Sequence, residues 1–452
     1  MKNSFLKKLL IFTSLLFLAV VFFAMSVFAQ DGAVASVGGI EYDTLQSAID
    51  AAYSGDTVTL LKDIALESNL NDAAKGVFNI NADDKITIDL NGKTVSVTDN
   101  SDGNFIAFYN YGNLALKNGT ISVTSTVDRG WNAESAVVLN RGGSLVIESG
   151  TYKHNGGTSM AFALDNSGNS FGDAYATIND GTLISTYTAI RLRMADTTLN
   201  GNPGNGVAEL TVKGGYIYGA NRGVWGHITN SYSGELGSLD ITGGTIGGGK
   251  NAINMAMDEY DNIGVTISGD ARIEGTISGE ANDFEISGGS FTAAIPEGFL
   301  ADGFSPVLND DGSYSVNVAL TAAFSFLGYS VNAEYTSITA GYTVDQEILA
   351  LWISQNNADG FDFGCIFGTN NKLAEGSMKS FAKYTEYQTF NAKIQGIDKT
   401  NDKHINTNLS MALYINRGNG TEYVVEINGK IAIVGAEDVP TVTFASFLPK
   451  NN

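Results

Sequence analysis

The chain contains little cysteine and little proline for its 452 residues. Its one cysteine, Cys365, excludes a disulfide within the chain, so packing and hydrogen bonds must stabilise the fold. Five prolines accompany 53 glycines and an aromatic content of 10%. Disordered glycine-rich chains carry more proline and fewer aromatic residues, so we expect these glycines to lie at turns of an ordered array.

Cationic side chains are also scarce, because 26 Lys and Arg residues stand against 48 Asp and Glu residues, a formal net charge of -22. This balance argues against nucleic acid or an anionic membrane as a partner and leaves neutral and cationic partners open. Against that background, residues 188–194, TAIRLRM, place two arginines at alternate positions between apolar residues. The spacing predicts a strand with one buried face and one wetted face.

A long apolar run near the N-terminus predicts the compartment. Lys2, Lys7 and Lys8 precede the uncharged residues 9–27, and Ala29 ends a segment that resembles a signal-peptidase site. We therefore expect a signal peptide at residues 1–29 and a secreted or extracellular protein, including one held at the cell surface. An uncleaved N-terminal anchor is the alternative. After signal removal we expect no membrane insertion.

A repeat with a period of about 30 residues dominates the middle of the sequence. Its copies share alternating apolar residues followed by a polar pair, a glycine, a small residue and a further apolar residue: LALKNGTI (114–121), LVIESGTY (145–152), ATINDGTL (176–183), LTVKGGYI (210–217), LDITGGTI (239–246) and FEISGGSF (284–291). Alternation with period two, without a helical segment in the unit, predicts a solenoid whose repeats are coils of stacked parallel strands.

The ends of such a solenoid are exposed sheet edges that need covers. Residues 43–52 have apolar residues at helical spacing, which predicts a short amphipathic helix on the first coil. At the other end, Pro296, Pro306 and the turn residues 310–312 interrupt the period. We predict an N-terminal cap at residues 30–80 and a parallel β-helix with its C-terminal cap at residues 81–318.

Residues 319–452 lack the glycine repeat and contain short alternating segments separated by turn residues. This pattern predicts a β-sandwich-like accessory domain. Residues 344–355 fit a strand or a helix equally well. The whole chain is therefore expected to be all-β.

The segments TLQSAIDAA (44–52) and SGDTVTLL (54–61), the recurring glycine motif and the closing residues 288–316 resemble right-handed parallel β-helix proteins of the pectin-lyase-like group. In particular, they resemble its secreted, adhesin-like bacterial members. The resemblance covers residues 36–318 and implies a right-handed solenoid. It does not imply one activity, because that fold carries lyases, hydrolases and non-catalytic binders.

A second strand of each repeat predicts a surface. Its copies are FIAFYN (105–110), AVVLNR (136–141), AFALDN (161–166), AIRLRM (189–194), GVWGHI (223–228) and AINMAM (252–257). Their simplest alignment places one outward column at Tyr109, Asn140, Asp165, Arg193, His227 and Ala256, and another at Ala107, Val138, Ala163, Arg191, Trp225 and Asn254. The polar and aromatic members are the candidate ligand-binding residues: Tyr109, Asn140, Asp165, Arg191, Arg193, Trp225, His227 and Asn254.

These side chains suit a glycan, because an indole stacks on a sugar face, arginines pair with carboxylates, and Asn and Asp bind hydroxyl groups. The loops after this strand vary most in length and would wall one side of the groove. The alternative is an ordinary solvated face, in which Asp165 and Arg193 form a surface ion pair of little energetic value.

Catalytic chemistry is less well supported by the sequence. Lyases of this fold use Arg or Lys as the base, usually with Ca²⁺ held by carboxylates, and its hydrolases need clustered acids. Asp258, Glu259 and Asp261 could approach Ca²⁺, but a solvated acidic turn is the favoured interpretation, and no cofactor is expected. His154 and His404 are isolated in the sequence, and an isolated histidine usually lies on the surface. Cys365 is expected to be a buried residue and not a catalytic nucleophile.

The sequence thus predicts a non-catalytic, adhesin-like protein that binds a polysaccharide or a cell-surface glycan through an outward strand face. The alternative is a polysaccharide lyase or glycoside hydrolase that acts on acidic polysaccharide with the same face. A third possibility is a structural spacer that displays the C-terminal domain.

Overall fold

The computed structural model describes residues 32–449 except 73, 129, 131–132, 157–159, 169–171, 195–205, 229–236, 256–262, 297, 332–336, 356–361, 370–377, 384–388, 396–407, 417–421 and 433–440. The predicted signal peptide, the acidic residues 258–261 and His404 lie outside these residues. The chain divides into two units, the first comprising residues 1–300 and 308–315, the second residues 301–307 and 316–452.

The first thirty strands, in chain order, are β1 (Ala35–Val37), β2 (Ile40–Tyr42), β3 (Thr57–Leu60), β4 (Ile64–Ser68), β5 (Phe78–Ile80), β6 (Lys85–Asp89), β7 (Thr94–Asp99), β8 (Phe105–Asn110), β9 (Asn113–Lys117), β10 (Thr120–Ser125), β11 (Ser135–Arg141), β12 (Ser144–Ile147), β13 (Thr151–Gly156), β14 (Ala161–Gly168), β15 (Ala174–Ile178), β16 (Thr182–Ser185), β17 (Thr188–Met194), β18 (Ala208–Val212), β19 (Tyr216–Gly219), β20 (Arg222–Ile228), β21 (Gly237–Ile241), β22 (Thr245–Gly248), β23 (Asn251–Asn254), β24 (Ile263–Ile267), β25 (Arg272–Glu274), β26 (Ile277–Ser278), β27 (Phe284–Ile286), β28 (Ser290–Phe291), β29 (Phe304–Leu308) and β30 (Tyr314–Val318). Two short 3₁₀ helices lie at Ala281–Asp283 and Leu320–Ala323.

The first unit is a parallel β-solenoid, as the repeat predicts. Successive strands of the chain join three sheets in turn, so that every third strand becomes a neighbour in the same sheet. Sheet 1 has the order β2-β1-β3-β6-β9-β12-β15-β18-β21-β24-β27, sheet 2 contains β28-β25-β22-β19-β16-β13-β10-β7-β4, and sheet 3 has the order β26-β23-β20-β17-β14-β11-β8-β5. Neighbouring coils pair in parallel from β3 to β28, and β28 in sheet 2 pairs antiparallel with β30.

Apolar columns form the core of the solenoid. In sheet 1 the paired residues Leu116, Ile147, Ile178, Val212 and Ile241 are all fully buried. Burying one such side chain contributes about 1.5 to 3 kcal/mol relative to leaving it exposed. Because each coil shares this column with its two neighbours, a coil is stable only within the stack.

The recurring glycines lie where consecutive coils approach most closely. Gly150 has a φ of 108°, and a Cβ atom on it would lie 2.7 Å from the carbonyl oxygen of Gly119. Gly181 repeats this arrangement one coil later. In the earlier coil the left-handed residue is Asn118 rather than Gly119, consistent with the tolerance of asparagine for positive φ.

A helix lies at the N-terminal end, as predicted. Helix α1 (Leu45–Asp50) begins after Thr44, whose hydroxyl accepts a hydrogen bond of 3.0 Å from the Ser47 amide. Its apolar residues Leu45, Ala48 and Ile49 are buried, and the Gln46 side chain makes two hydrogen bonds to the backbone of Asn79 in β5. The helix therefore packs against the first coils through one face.

An asparagine ladder runs inside sheet 3. Asn110, Asn140 and Asn166 pair in register and are fully buried. Nδ2 of Asn110 donates to Oδ1 of Asn140 and Nδ2 of Asn140 donates to Oδ1 of Asn166, both at 2.7 Å, and further bonds from all three side chains reach backbone carbonyls. The ladder gives the buried amide groups hydrogen-bond partners on neighbouring coils. A buried amide group without such a partner would destabilise the fold.

The second unit contains β31 (Phe324–Val331), β32 (Ser337–Val344), helix α2 (Gln346–Gln355), β33 (Asp362–Thr369), β34 (Met378–Lys383), β35 (Thr389–Gln395), β36 (Asn408–Asn416), β37 (Glu422–Ala432) and β38 (Thr441–Pro449). They form two antiparallel sheets, β31-β32-β35 and β34-β33-β36-β37-β38. The ambiguous segment at residues 344–355 is helical for most of its length. Cys365 lies in β33, as its alternating surroundings predict.

Among the residues that the structure describes, no helix is both long enough and apolar enough to cross a membrane.

Candidate functional site

The predicted surface lies on sheet 3, but its rows differ from the simplest sequence alignment. One row contains Tyr109, Leu139, Asp165, Arg191, Trp225 and Asn254, and the next contains Arg141, Ser167, Arg193 and His227. The predicted neighbours Arg191 and Trp225, Arg193 and His227, and Trp225 and Asn254 are therefore confirmed. Arg191 and Arg193 alternate with Ile190 and Leu192, which are fully buried.

Asp165 and Asn140 have neighbours other than the predicted ones. Asp165 pairs with Arg191 rather than Arg193, a displacement of two residues that keeps the side chain on the same face. Asn140 belongs to the inner ladder, because AVVLNR is displaced by one residue relative to the sequence alignment. A slip of one residue moves every side chain of a strand to the opposite face, so Asn140 is not available to a ligand on the outer face.

Arg191 is the centre of a buried ionic cluster. Its guanidinium binds Asp165 in a bidentate manner, with Nε donating to Oδ1 at 2.9 Å and Nη2 donating to Oδ2 at 2.5 Å. It also contacts both carboxylate oxygens of Glu134, at 2.9 Å and 2.8 Å, and its Cζ atom lies 4.3 Å from the centre of the Phe162 ring. Arg191 thus uses every side of its guanidinium on protein groups.

The charges of this cluster explain its protonation. Burial alone would lower the pKa of Arg191, but the carboxylates of Asp165 and Glu134 raise it above its ordinary value. Burial alone would raise the pKa of Glu134, but Arg191 and Arg193 outweigh this effect and lower it to about 2. Arg191 and Glu134 are therefore both ionised at neutral pH, and Glu134 is unsuited to act as a general acid.

Arg193 and His227 form the adjacent part of the surface. Nη1 of Arg193 donates to Glu134 at 3.0 Å and 3.2 Å, whereas its buried Nε atom has no partner among the described residues. Burial and the charge of Arg191 lower the pKa of Arg193. Burial, followed by the charges of Arg191 and Arg193, also lowers the pKa of His227 to about 4, so His227 is neutral at neutral pH.

Trp225 lies between His227 and an arginine that the sequence alignment omitted. Its ring centre is 4.9 Å from that of His227 and 4.9 Å from Cζ of Arg222. The indole is half-buried and packs against the cluster of Ala136, Met160 and Phe162. Arg222 is the first residue of β20, one position before the aligned copy GVWGHI, and it pairs in register with Thr188.

We use the term arginine face for the surface formed by eight residues: Glu134, Asp165, Thr188, Arg191, Arg193, Arg222, Trp225 and His227. Sequence alignment missed Glu134, Thr188 and Arg222. Glu134 precedes its strand and carries no alternation signal, whereas Arg222 and Thr188 become visible when each copy is extended by one residue toward its N-terminus.

Unpartnered polar atoms concentrate on this side of the molecule. Among the described residues of sheet 3, six buried side-chain nitrogen or oxygen atoms lack a hydrogen-bond partner: Thr188 Oγ1, Arg193 Nε, Arg222 Nε, Arg222 Nη1, His227 Nδ1 and Ser278 Oγ. Native proteins satisfy nearly all buried polar groups, so these atoms are where ordered water, an ion or a ligand would supply the missing partners.

The remaining predicted residues contribute less. Tyr109 is fully buried, and its hydroxyl accepts hydrogen bonds from Tyr111 at 2.6 Å and from Arg141 at 3.0 Å. Burial raises the pKa of Tyr109 above its ordinary value. Asn254 is half-buried and donates to Asn251 at 3.4 Å. Asn254 adjoins the arginine face in register with Trp225, whereas Leu139 and Asp165 separate Tyr109 from Arg191.

One histidine contradicts its expected position. His154 is fully buried rather than on the surface, and its Nε2 atom lies 2.8 Å from the hydroxyl of Ser135. Ser135 and Ser125 both donate to a carboxylate oxygen of buried Asp99, at 3.0 Å and 2.7 Å. This network lies within the stack, where it has no access to a substrate, so we interpret it as structural.

Within the described ranges, no group of three or more His, Cys, Asp or Glu residues could hold a metal ion. The acidic residues Asp258, Glu259 and Asp261, considered above for Ca²⁺, lie outside those ranges, so the Ca²⁺ hypothesis stays a prediction.

Comparisons with known proteins do not identify the chain: no family model, no curated protein and no solved structure matches it. The resemblance to the pectin-lyase-like group therefore rests on the sequence motifs given above. Function has to be argued from the arginine face itself.

Proposed function

We propose that the protein is a non-catalytic carbohydrate-binding protein and that the arginine face is its binding surface. One observation carries this proposal. The half-buried indole of Trp225 lies between Arg222 and His227, and these two residues and Arg193 have buried nitrogen atoms without a protein partner. A sugar ring can stack on the indole while its hydroxyl groups bind such atoms.

The buried ionic cluster would serve this surface as a support. Arg191 is saturated by Asp165 and Glu134, and Glu134 in turn holds Nη1 of Arg193. Arg193 is therefore oriented before a ligand arrives, which reduces the entropic cost of binding. In this proposal Arg191 and Asp165 position the surface, whereas Arg193, Trp225 and His227 contact the sugar.

Retention of the purified protein on immobilised polysaccharides tests the proposal, with polygalacturonate, xylan and a neutral β-glucan as probes. We expect Trp225→Ala to abolish retention on the retaining polymer while the far-UV circular dichroism spectrum stays unchanged. Tyr216→Ala is the matched control, because Tyr216 is an exposed aromatic residue on sheet 2. Equal retention of both variants would contradict binding through the arginine face.

A polysaccharide lyase is the second candidate, favoured by one specific observation. The pKa of Arg193 is lowered by burial and by the neighbouring charge of Arg191, as a basic residue that abstracts a proton requires. Hydrolysis is less well supported, since Glu134 and Asp165 are both engaged by Arg191. Formation of unsaturated, ultraviolet-absorbing products from polygalacturonate by the wild type but not by Arg193→Gln would favour the lyase.

The wider biological assignment belongs to the same proposal. We propose a right-handed, pectin-lyase-like solenoid, because parallel crossover connections are almost always right-handed. The N-terminal lysines and apolar run support secretion, with an adhesin-like role outside the cell. We propose that the two sheets of the second unit form a sandwich-like accessory domain. A truncation after Val318 distinguishes a spacer, since loss of all glycan retention would place binding in the second unit.

A further inference from the structure

Arg222 differs from the other arginines of the arginine face in having no carboxylate partner. Arg191 binds Asp165 and Glu134, and Arg193 binds Glu134. For Arg222, no described carboxylate lies within salt-bridge distance, and its buried Nε and Nη1 atoms have no acceptor. Leaving buried charged donors without an acceptor is costly, so a partner for Arg222 would gain much of that energy on binding.

The charge balance of the face also singles out Arg222. Arg191, Arg193 and Arg222 supply three positive charges, and Asp165 and Glu134 supply two negative charges. Three minus two leaves one uncompensated positive charge, and the ion pairs assign it to Arg222. In a chain with a net charge of -22, this excess is a local feature and not a general attraction for anions.

The contacts around Arg222 leave its N–H groups able to donate hydrogen bonds to a ligand. Its Cζ atom lies 4.9 Å from the centre of the Trp225 ring and 5.9 Å from the centre of the Tyr187 ring, which are cation–π contacts. Such contacts do not use the N–H groups of the guanidinium as hydrogen-bond donors. Thr188, its register partner on the preceding coil, has a buried hydroxyl that also lacks a partner. Arg222 and Thr188 thus present unpartnered polar atoms beside an aromatic platform.

We propose that Arg222 and Thr188, beside Trp225, form a subsite for the anionic group of an acidic sugar. This inference rests on the proposed carbohydrate-binding function and narrows its ligand to an acidic polysaccharide. The sugar ring stacks near Trp225, and an anionic oxygen accepts hydrogen bonds from Arg222. A carboxylate and a sulfate ester share this chemistry, and both are tested below.

Calorimetric titration of the full-length protein tests the subsite with matched ligands. Oligogalacturonate is compared with its carboxyl-reduced form, and dextran sulfate with dextran. We expect the wild type to bind the anionic member of at least one pair about tenfold or more tightly than the neutral member. The pair that shows the preference identifies the anionic group as carboxylate or sulfate.

Substitution of Arg222 decides the assignment. We expect Arg222→Gln to lose the preference for the anionic ligand while keeping the weaker affinity for the neutral one. Arg222→Lys should keep part of the preference, which separates loss of charge from loss of fold. Arg272→Gln is the matched control, since Arg272 is an exposed arginine on sheet 2 paired with Glu274 at 2.8 Å.

The possible failures are distinguishable. If the wild type binds no glycan, the proposed function fails and this inference fails with it. If the wild type binds acidic and neutral glycans equally, or if Arg222→Gln keeps the full preference, carbohydrate binding stands and the Arg222 subsite is overturned.

Discussion

The asparagine ladder and the arginine face both belong to sheet 3 and meet at β14, yet their polar groups are satisfied to opposite degrees. Inside the stack, Asn110, Asn140 and Asn166 pass hydrogen bonds of 2.7 Å from coil to coil. On the outer side, Arg193, Arg222 and His227 keep buried nitrogen atoms without partners in the described structure. The ladder is saturated, whereas the face is not.

This difference separates residues that maintain the stack from residues that can accept a ligand. A saturated buried network stabilises one structure and gains nothing from a further partner. An unsaturated surface sacrifices some stability and recovers that energy when a ligand binds. Arg191 lies in the same strand as Arg193, but its guanidinium is fully hydrogen-bonded, as the ladder amides are. We therefore expect Arg191 to contribute to stability as the ladder does, more than Arg193.

The largest loss of stability is expected from Arg191→Ala. The substitution leaves the buried carboxylate of Asp165 and the carboxylate of Glu134 without their shared cation. Breaking a buried ion pair by removing one partner costs about 3 to 5 kcal/mol. Urea denaturation followed by circular dichroism measures this change, and Arg193→Gln, with about 1 kcal/mol or less, is the control. Similar losses for the two variants would mean that Arg191 is no more structural than Arg193.

A smaller loss is expected from Asn140→Ala. The variant removes the Asn140 donor from the buried Oδ1 atom of Asn166, at about 1 to 3 kcal/mol for a buried group. Nδ2 of Asn110 keeps the carbonyls of Gly112 and Ser144 as acceptors. Asn155→Ala is the matched control, because the Asn155 amide donates to the hydroxyl of Ser122 at 3.3 Å in a less buried position. Retention of Asn140→Ala on glycan at low temperature should equal that of the wild type. Loss of retention by the folded variant would return Asn140 to the binding surface.

The sequence predicts the solenoid well because its strongest signals are local. Alternation reports which residues face the core, and Gly150 and Gly181 report turns where coils approach. The strand at residues 188–194 and the pairs Arg191–Trp225 and Arg193–His227 follow from this pattern. The repeat pattern therefore predicts the fold class, as it does for other proteins built from stacked repeats.

Register between coils is harder to predict, because loops of different length separate the copies. Alternation alone aligns Asn140 with Tyr109, whereas the asparagine shared by FIAFYN, AVVLN and AFALDN would have placed Asn140 beside Asn110 and Asn166. The position of Glu134 has no such signal. Its role depends on two arginines that lie 57 and 59 residues further along the chain, and no local pattern encodes that contact.

The smallest effect is expected from His227 and concerns pH. The pKa of His227 is about 4 in the folded protein and about 6.5 in an unfolded chain. Between these values the unfolded state binds the extra proton, so the free energy of unfolding falls as pH decreases below 6.5. From pH 6.5 to pH 4.5 this contribution amounts to about 2 kcal/mol at most, since His227 is only half-buried.

The variant His227→Gln isolates this contribution, because glutamine does not titrate. We expect its stability to change less than that of the wild type between pH 6.5 and pH 4.5, as measured by urea denaturation at several pH values. Below about pH 4.5, Glu134 adds its own dependence, since its lowered pKa keeps it ionised in the folded state after it would protonate in the unfolded chain. If the stability of the wild type and that of His227→Gln change in parallel above that pH, His227 is not held neutral by its surroundings. Its environment would then resemble solvent and not a site next to Arg191 and Arg193.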